Sequence, residues 1–518
     1  MCGIYASISR RDGLVPSSAL QSRLVKRGPD HLGTTRVSVK SGEDSQVAEI
    51  FLTFQATVLS LRGRGITEQP LVRATSGAIL CWNGEAWTLG GKTIAENDGA
   101  AVLSTLDAAS GEDAVLDVLQ SINGPFAFIY YDPRDGGRIY FGRDRLGRRS
   151  LLVHDGEDFI LSSVADPGLS GWVEVEADGV YSLDVARLGD ARSGSVTMPM
   201  VKRHVWLPED LGEYSLSLRV LNIPQPPRVP AVSDYEVDTR VAVLFSGGLD
   251  CTVLARLASE LLPPEQGIDL INVAFENPRI AARLQPAEDD EFAIYEACPD
   301  RITGRKSFQE LRDCCPGRRW RFIASHRSEV VALMHPHNTE MDLSIAYALY
   351  FAARGIGIDH TDPETPSSAR LVSTPARVLL SGLGADELFG GYVRHATAFA
   401  RKGYHGLLEE LKLDVGRLGK RNLGRDDRVM SHWGREIRFP FLDEQLVKWA
   451  VEAPVWEKCD FAVPGKESVE ADKRVLRLLA AQLGMKSVAR EKKRAIQFGS
   501  RTAKMENGKT KGTHLISG

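Results

Sequence analysis

The ten residues from Val241 to Asp250, VAVLFSGGLD, combine types that suit the handling of a phosphate chain. The apolar run does not alternate, which reads as a strand covered on both faces, as in a parallel sheet. Ser246-Gly247-Gly248 breaks the strand, and CTVLARLASELL then repeats apolar residues at helical spacing. Glycines carry no Cβ, so an anion can come close to the backbone, and the N–H groups at a helix start face it. Asp250 is placed to cap that helix or to hold Mg²⁺ beside the phosphates. No Gly-Lys-Ser/Thr follows, so this is not a Walker loop. A second apolar strand, Val378-Leu379-Leu380, ends in the same manner, in Ser381-Gly382-Leu383-Gly384-Ala385-Asp386-Glu387.

A different chemistry sits at the other end. The chain opens Met1-Cys2-Gly3-Ile4. Removal of the initiator Met leaves Cys2 with a free α-amine, whose pKa is near about 8. That amine can act as general base for its own thiol, so nucleophile and base share one residue. Arg27-Gly28-Pro29-Asp30, Trp82-Asn83-Gly84-Glu85, Asn97-Asp98, Gly124-Pro125-Phe126 and Phe141-Gly142-Arg143-Asp144 follow in order among short β-patterned runs.

In this order MCGI, RGPD, NGE and GRD resemble the class II glutamine amidotransferase domain, an N-terminal-nucleophile (Ntn) hydrolase with an αββα sandwich. The resemblance implies that Cys2 attacks the glutamine amide while Asn83 and the Gly84 N–H stabilise the oxyanion. It further implies that Asn83, Gly84, Glu85 and Asp98 bind glutamine. The S-G-G-x-D string resembles the pyrophosphate loop of ATP pyrophosphatases, and S-G-x-G-x-D-E matches the second motif of glutamine-hydrolysing asparagine synthetases. PDRITGR (299–305), RGIG (354–357), RNLGRDDRV (421–429) and RAIQFGSR (494–501) extend that likeness over most of the chain. ATP contacts are then expected from Leu244, Ser246, Gly247, Gly248, Asp250, Phe275, Ser381, Gly382 and Lys473, with Mg²⁺ on Asp250 and Asp386. Three positions depart from the family pattern. The strand before Gln69-Pro70 lacks the arginine that holds the glutamine carboxylate, with Thr57 or Val58 at its place and Arg62 nearby. Leu383 stands where the catalytic synthetases carry a glutamate, and leucine has no donor, acceptor or charge. Cys251 replaces a serine.

The elements that must position these groups follow from the bulk properties. At 518 residues, two or three domains are expected. Hydrophobic content of 43% and charged content of 25% are globular values, and a net charge of −4 argues against nucleic-acid or anionic-membrane binding. No apolar run reaches membrane-spanning length. Seven cysteines without metal spacing read as reduced thiols in a cytoplasmic protein. The expected division is an amidotransferase domain over 2–185 and a linker over 186–236, stiffened by Pro224, Pro226, Pro227 and Pro230. An α/β domain over 237–505 follows, doubly wound around a parallel sheet with a helical C-terminal part, and then a disordered tail over 506–518. The interleaved charges of 416–443 read as a buried network near the site rather than a nucleic-acid patch.

The expected partners are small molecules, namely glutamine, aspartate and ATP, and an oligomer is allowed. The reaction is aspartate, glutamine and ATP to asparagine, glutamate, AMP and pyrophosphate through a β-aspartyl-adenylate. A second reading is a non-catalytic or weakly active paralogue that keeps the fold, motivated by Leu383. A third is a β-lactam-synthetase-like enzyme, which the intact Cys2 argues against.

Overall fold

A computed structural model describes residues 1–41, 48–63, 65–188, 201–206, 238–275, 293–325, 330–359, 371–462 and 469–500. The chain divides into two compact units. The first comprises 1–212 together with 332–337 and 418–434, and the second comprises 213–331, 338–417 and 435–518. The boundary therefore differs from the simple division expected from sequence, because two short segments from beyond residue 330 belong with the amino-terminal unit.

Two six-stranded antiparallel sheets form the first unit. One runs Trp172–Glu174, Leu152–Asp155, Phe159–Ser162, Gly3–Ser9, Ala48–Val58, His31–Ser41, and the other Lys202–Val205, Gly179–Asp184, Arg138–Arg143, Phe126–Asp132, Ile79–Gly84, Leu71–Val72. Alternation along each strand sends one set of side chains inward. Ile4, Ala6 and Ile8 oppose Ala56, Phe54 and Leu52 in register, and they share a core with Ile79, Cys81, Ala127, Ile129, Ile139 and Phe141 of the other sheet. Outward-facing residues meet helices. Tyr5 packs on Leu20 and Leu24 of the helix Ser18–Arg27. Leu80, Trp82, Phe126 and Phe128 pack on Val102, Leu106, Val115 and Leu119 of the helices Asp98–Ala108 and Glu112–Gln120. The layers are thus helix, sheet, sheet, helix.

Lys202–Val205 is an edge strand of this unit, although the sequence suggested linker there. Lys202 and Arg203 are exposed and pair with Glu112 and Asp178, His204 turns in to Ser182, and Val205 is exposed, so no apolar alternation marks it. Most of 186–236, including the four prolines, lies outside the described residues, as does 506–518.

The second unit is built on one seven-stranded sheet. Its order is Leu371–Ser373, Ile356–Asp359, Trp320–Ser325, Gly267–Val273, Thr239–Leu244, Val378–Leu380, Glu436–Arg438. Five strands are parallel, and the two at one edge, Ile356–Asp359 and Leu371–Ser373, are antiparallel, so the sheet is mixed rather than wholly parallel. The parallel strands are buried and mainly apolar, with Asp269 and Asn272 in Gly267–Val273 and the Glu436–Arg438 ion pair among the buried polar exceptions. Among the described residues no helix is long and apolar enough to cross a membrane.

Candidate active sites

In the first unit the site grows from strand parity. Ile4, Ala6 and Ile8 face the sandwich interior, so Cys2, two residues earlier, is on the same side. Ile79 and Cys81 face that interior from the other sheet, which puts Asn83 there too. Gln69 ties these two strands together: its Oε1 accepts from the Trp82 N–H at 2.8 Å, and its Nε2 approaches Cys2 Sγ at 3.9 Å. Asn83 is fully buried, and neither its Oδ1 nor its Nδ2 has a hydrogen-bond partner among the described residues. Such an unmet amide ordinarily destabilises by about 1–3 kcal/mol. The amide therefore keeps a donor and an acceptor uncommitted inside the unit.

Gly84 has to be glycine, because a Cβ would lie 2.2 Å from Pro125 O and 2.5 Å from Phe126 Cα. The Gly124-Pro125-Phe126 turn that presses on it is fixed by Asp144. That carboxylate accepts from the N–H groups of Phe126, Leu146 and Arg148 and pairs with the Arg148 guanidinium at 2.9 Å, while Arg148 Nη2 donates to Gly124 O. The G-R-D motif is thus a brace for the N-G-E motif.

Asp98 is buried in the first turn of its helix, where Asn97, not Asp98, supplies the cap. Its Oδ2 accepts from Trp82 Nε1 at 3.0 Å and from the Ala86 N–H at 2.8 Å. Burial pushes its carboxyl up, against the pull of Arg62 and these two donors. Glu85 is also buried, and its N–H donates to Pro125 O. Arg62 does not stand open for a substrate carboxylate: its guanidinium donates to the carbonyls of Ala86 and Ile94 and lies over the Trp87 ring. Thr57, at the place of the absent arginine, accepts from the Gly3 N–H and donates to Leu24 O, which locks the start of the first strand.

In the second unit the strand Thr239–Leu244 delivers Phe245-Ser246-Gly247-Gly248 to the helix Leu249–Leu261. Leu244 is half-buried. The helix begins one residue before Asp250, with Gly248 at the cap and no side-chain capping bond, so Asp250 does not cap. Gly247 is glycine for a reason other than an approaching phosphate. It has a φ of +81°, and a Cβ would lie 2.4 Å from Gly304 Cα on the helix Pro299–Cys314. Gly248 is the open one, since its Cβ would meet only Ser246 Oγ at 3.3 Å. Ser246 Oγ accepts from the Gly248 N–H and lies 3.6 Å from Cys251 Sγ.

The two glycine-acid motifs lie together. A Cβ on Gly382 would come within 3.1 Å of Asp250 Cβ. Lys473 Nζ lies 2.6 Å from Asp250 Oδ2 and 2.7 Å from Asp386 Oδ1, and Lys493 donates to Asp386 Oδ2. Asp250 Oδ1 is buried without a partner among the described residues. Burial pushes the Asp250 carboxyl up, with Lys473 opposing and Asp386 adding to the rise. Burial acts on Asp386 in the same sense, but Lys473 and Lys493 outweigh it and hold that carboxyl below its ordinary range. The Lys473 ammonium is held above its ordinary value because the two carboxylates outweigh its burial. Lys473 also has a φ of +52°, a left-handed conformation that costs a non-glycine residue about 1 kcal/mol or more. Ser381 Oγ accepts from the Leu383 N–H at 3.3 Å, and Leu383 is half-buried with no ionisable group of its own. Phe275 is buried edge-on against Phe351, and its N–H donates to Ser500 O.

Sequence reasoning named Gln69 and Thr57 only as landmarks of the absent arginine, and missed Gly391 altogether. A Cβ on Gly391 would lie 2.0 Å from Asp386 Oδ1 and 2.4 Å from Lys473 Cε. The Gly-Gly pair after Phe389 was the available signal.

These two sites match two known families. A glutamine amidotransferase domain matches residues 1–178, and asparagine synthase matches residues 354–408 and 400–512. The class is therefore an amidotransferase domain joined to an asparagine synthase domain in one chain. Asparagine synthetase domain-containing protein 1 of Mus musculus is 32% identical across 99% of this chain and 98% of its own, and that of Homo sapiens is 30% identical across 98% and 96%. The root glutamine-hydrolysing asparagine synthetase of Pisum sativum is 24% identical across 87% of this chain and 70% of its own. The chain belongs to the family of asparagine synthetase domain-containing protein 1.

Proposed function

We propose that the protein is a glutamine-hydrolysing, ATP-dependent ligase that converts aspartate to asparagine, working in the cytoplasm. Glutamine, water, aspartate and ATP give glutamate, asparagine, AMP and pyrophosphate. In this reading the first unit is an Ntn hydrolase. Cys2 Sγ attacks the glutamine amide carbonyl, and its α-amine, exposed once Met1 is removed, takes the thiol proton and returns it to the departing ammonia. Asn83 Nδ2 and the Gly84 N–H hold the oxyanion, and Glu85 and Asp98 hold the glutamine backbone. Water then releases glutamate from the thioester.

The second unit is read as an ATP pyrophosphatase fold. The aspartate side-chain carboxylate attacks the α-phosphorus, pyrophosphate leaves, and ammonia displaces AMP from the acyl-adenylate. Leu244, Ser246, Gly248, Phe275, Ser381 and Gly382 surround the nucleotide, with Gly247 shaping the loop from behind. The residues present fit Mg²⁺, because two carboxylates, one with an unmet oxygen, leave the remaining positions to phosphate and water, as that ion prefers. When bound, it would neutralise charge on the pyrophosphate leaving group, and Asp250 and Asp386 would hold it. Lys473 then turns from its two carboxylates toward the phosphates.

The observation that carries this reading is Lys473 straddling Asp250 and Asp386, one acid from each glycine motif. Pure protein with Mg²⁺ is expected to exchange labelled pyrophosphate into ATP only when aspartate is present. Absence of exchange would overturn the synthetase half, and an intact mass that retains Met1 would overturn the amidotransferase half.

A further inference from the structure

Arg27 and Asp427 lie 400 positions apart in sequence, yet their side chains pair at 2.9 Å inside the first unit, both essentially inaccessible. Arg27 reaches the site directly: its Nε donates to the Cys2 carbonyl at 3.2 Å. Asp427 is itself anchored. Its Oδ2 accepts from the Ser150 N–H at 3.0 Å, and its Oδ1 accepts from Ser431 Oγ at 3.3 Å. The neighbouring Arg428, on the same short helix Gly424–Ser431, donates to Glu174, Ser150 Oγ and Met334 O and meets His337 Nδ1 at 3.0 Å. Burial pushes the Glu174 carboxyl up, but Arg428 and Arg143 bring it below its ordinary value. Residues 332–337 and 418–434 are thus wired into the unit that carries Cys2 through buried charges.

A buried guanidinium needs a counter-charge, and one that also grips a main-chain carbonyl fixes that carbonyl in space. We infer that Asp427 is a positioning residue for Cys2, acting through Arg27, so that the glutaminase nucleophile is set by a carboxylate supplied from beyond residue 400. The inference rests on the reading of Cys2 as nucleophile.

The test uses the full-length chain with Asp427→Asn, which keeps shape and removes charge. Glutaminase kcat is expected to fall about 100-fold while KM changes less than about threefold, the pattern of a displaced reacting atom rather than lost binding. Alkylation of Cys2 by iodoacetamide, read as the mass of the amino-terminal peptide, is expected to change by about tenfold as the Cys2 backbone, no longer held through Arg27, moves the thiol from its place beside Gln69. If Asp427→Asn fails to fold, the double variant Arg27→Met/Asp427→Leu leaves no lone buried ion and must show the same two effects. A kcat and an alkylation rate both unchanged from wild type in a folded variant would overturn the inference, because a purely structural pair would change only the melting temperature. If Cys2→Ala kept its glutaminase activity, the nucleophile reading would fail instead. The alkylation comparison, which needs no turnover, would still decide the role of Asp427.

Discussion

The two sites are held ready in opposite ways. Around Cys2 the poised group is a neutral amide, that of Asn83, buried with both polar atoms unmet and framed by Gln69, Gly84 and the Asp144 brace. Around Lys473 the poised groups are charges that satisfy one another, Asp250 and Asp386 against Lys473 and Lys493. An oxyanion site needs donors that are free and fixed, because a tetrahedral intermediate lasts too briefly to reorganise them. In the proposed function the second site takes a triphosphate, whose large charge stays bound, so that site can be stored as ion pairs that exchange partners on binding. One design holds an unmet dipole, and the other holds buried charges that lean on one another, so that removing one partner strands the rest.

The largest effect that separates the designs is expected at Lys473. Lys473→Ala leaves two adjacent carboxylates buried without their shared counter-charge, which is worth about 3–5 kcal/mol of stability. A urea titration should show the second unit unfolding at a clearly lower midpoint, and pyrophosphate exchange should vanish. Lys473→Gly relieves the left-handed backbone and should recover about 1 kcal/mol without recovering exchange. An unchanged midpoint in Lys473→Ala would break the contrast.

Much of the second site was legible because its chemistry is local. Strand, glycines, acid and helix follow one another without interruption from Thr239 to Leu261, and the helix Leu249–Leu261 begins almost where periodicity placed it. What local sequence conveyed less well was cause. Gly247 and Gly391 are glycines because Gly304 and Asp386 crowd them, and a close approach from elsewhere in the chain leaves no local pattern. The first site shows the same limit at greater range. Cys2, Asn83, Gly84 and Asp98 stand in recognisable motifs, whereas the Arg27–Asp427 pair joins residues that no spacing rule connects. The charges of 418–434 do form a buried network, but it serves the unit of Cys2, and only tertiary packing decides which unit a buried ion pair joins. The antiparallel edge of the second sheet was also hidden, since Ile356–Asp359 and Leu371–Ser373 are short and flank residues 360–370, outside the described chain.

Proton linkage sharpens the comparison between units, with an effect of similar or slightly smaller size. In the first unit, burial lowers the His432 pKa from 6.5 to about 4, and Lys26, Arg23 and Arg27 add to the fall. Lys26 Nζ lies 3.3 Å from His432 Nε2, which suits a neutral ring accepting there. The folded value is below the unfolded one, so the associated stability is present above pH 6.5 and is lost as pH falls through about 4. In the second unit, burial raises the Asp300 pKa from 3.8 to about 7, with Arg494 opposing. Here the folded value is above the unfolded one, so the stability is full below pH 3.8 and is lost as pH rises through about 7. At about 1.4 kcal/mol per tenfold step, the two are worth about 3 and about 4 kcal/mol. Calorimetry from pH 4.5 to 7.5 should therefore show one transition strengthening with pH and the other weakening. His432→Gln should flatten the first slope and Asp300→Asn the second. Unaltered slopes in these variants would remove His432 and Asp300 as the source.

The smallest effect on folding, and the sharpest on chemistry, is expected at Asn83. Truncation to alanine deletes two buried polar atoms that bond to nothing described, so the protein loses no hydrogen bond and sheds an unmet desolvation cost. The melting temperature of Asn83→Ala should hold or rise, as commonly happens when a strained functional group is removed. Glutaminase kcat should nonetheless fall about 10²–10³-fold, roughly 3–4 kcal/mol of barrier, because that is the usual worth of one oxyanion donor. Lys473→Ala loses stability and activity together, whereas Asn83→Ala should trade one against the other. A drop in melting temperature at Asn83 would mean that its amide is bonded in the folded protein after all. The contrast between a site stored as free dipoles and a site stored as paired charges would then fail at its simpler end.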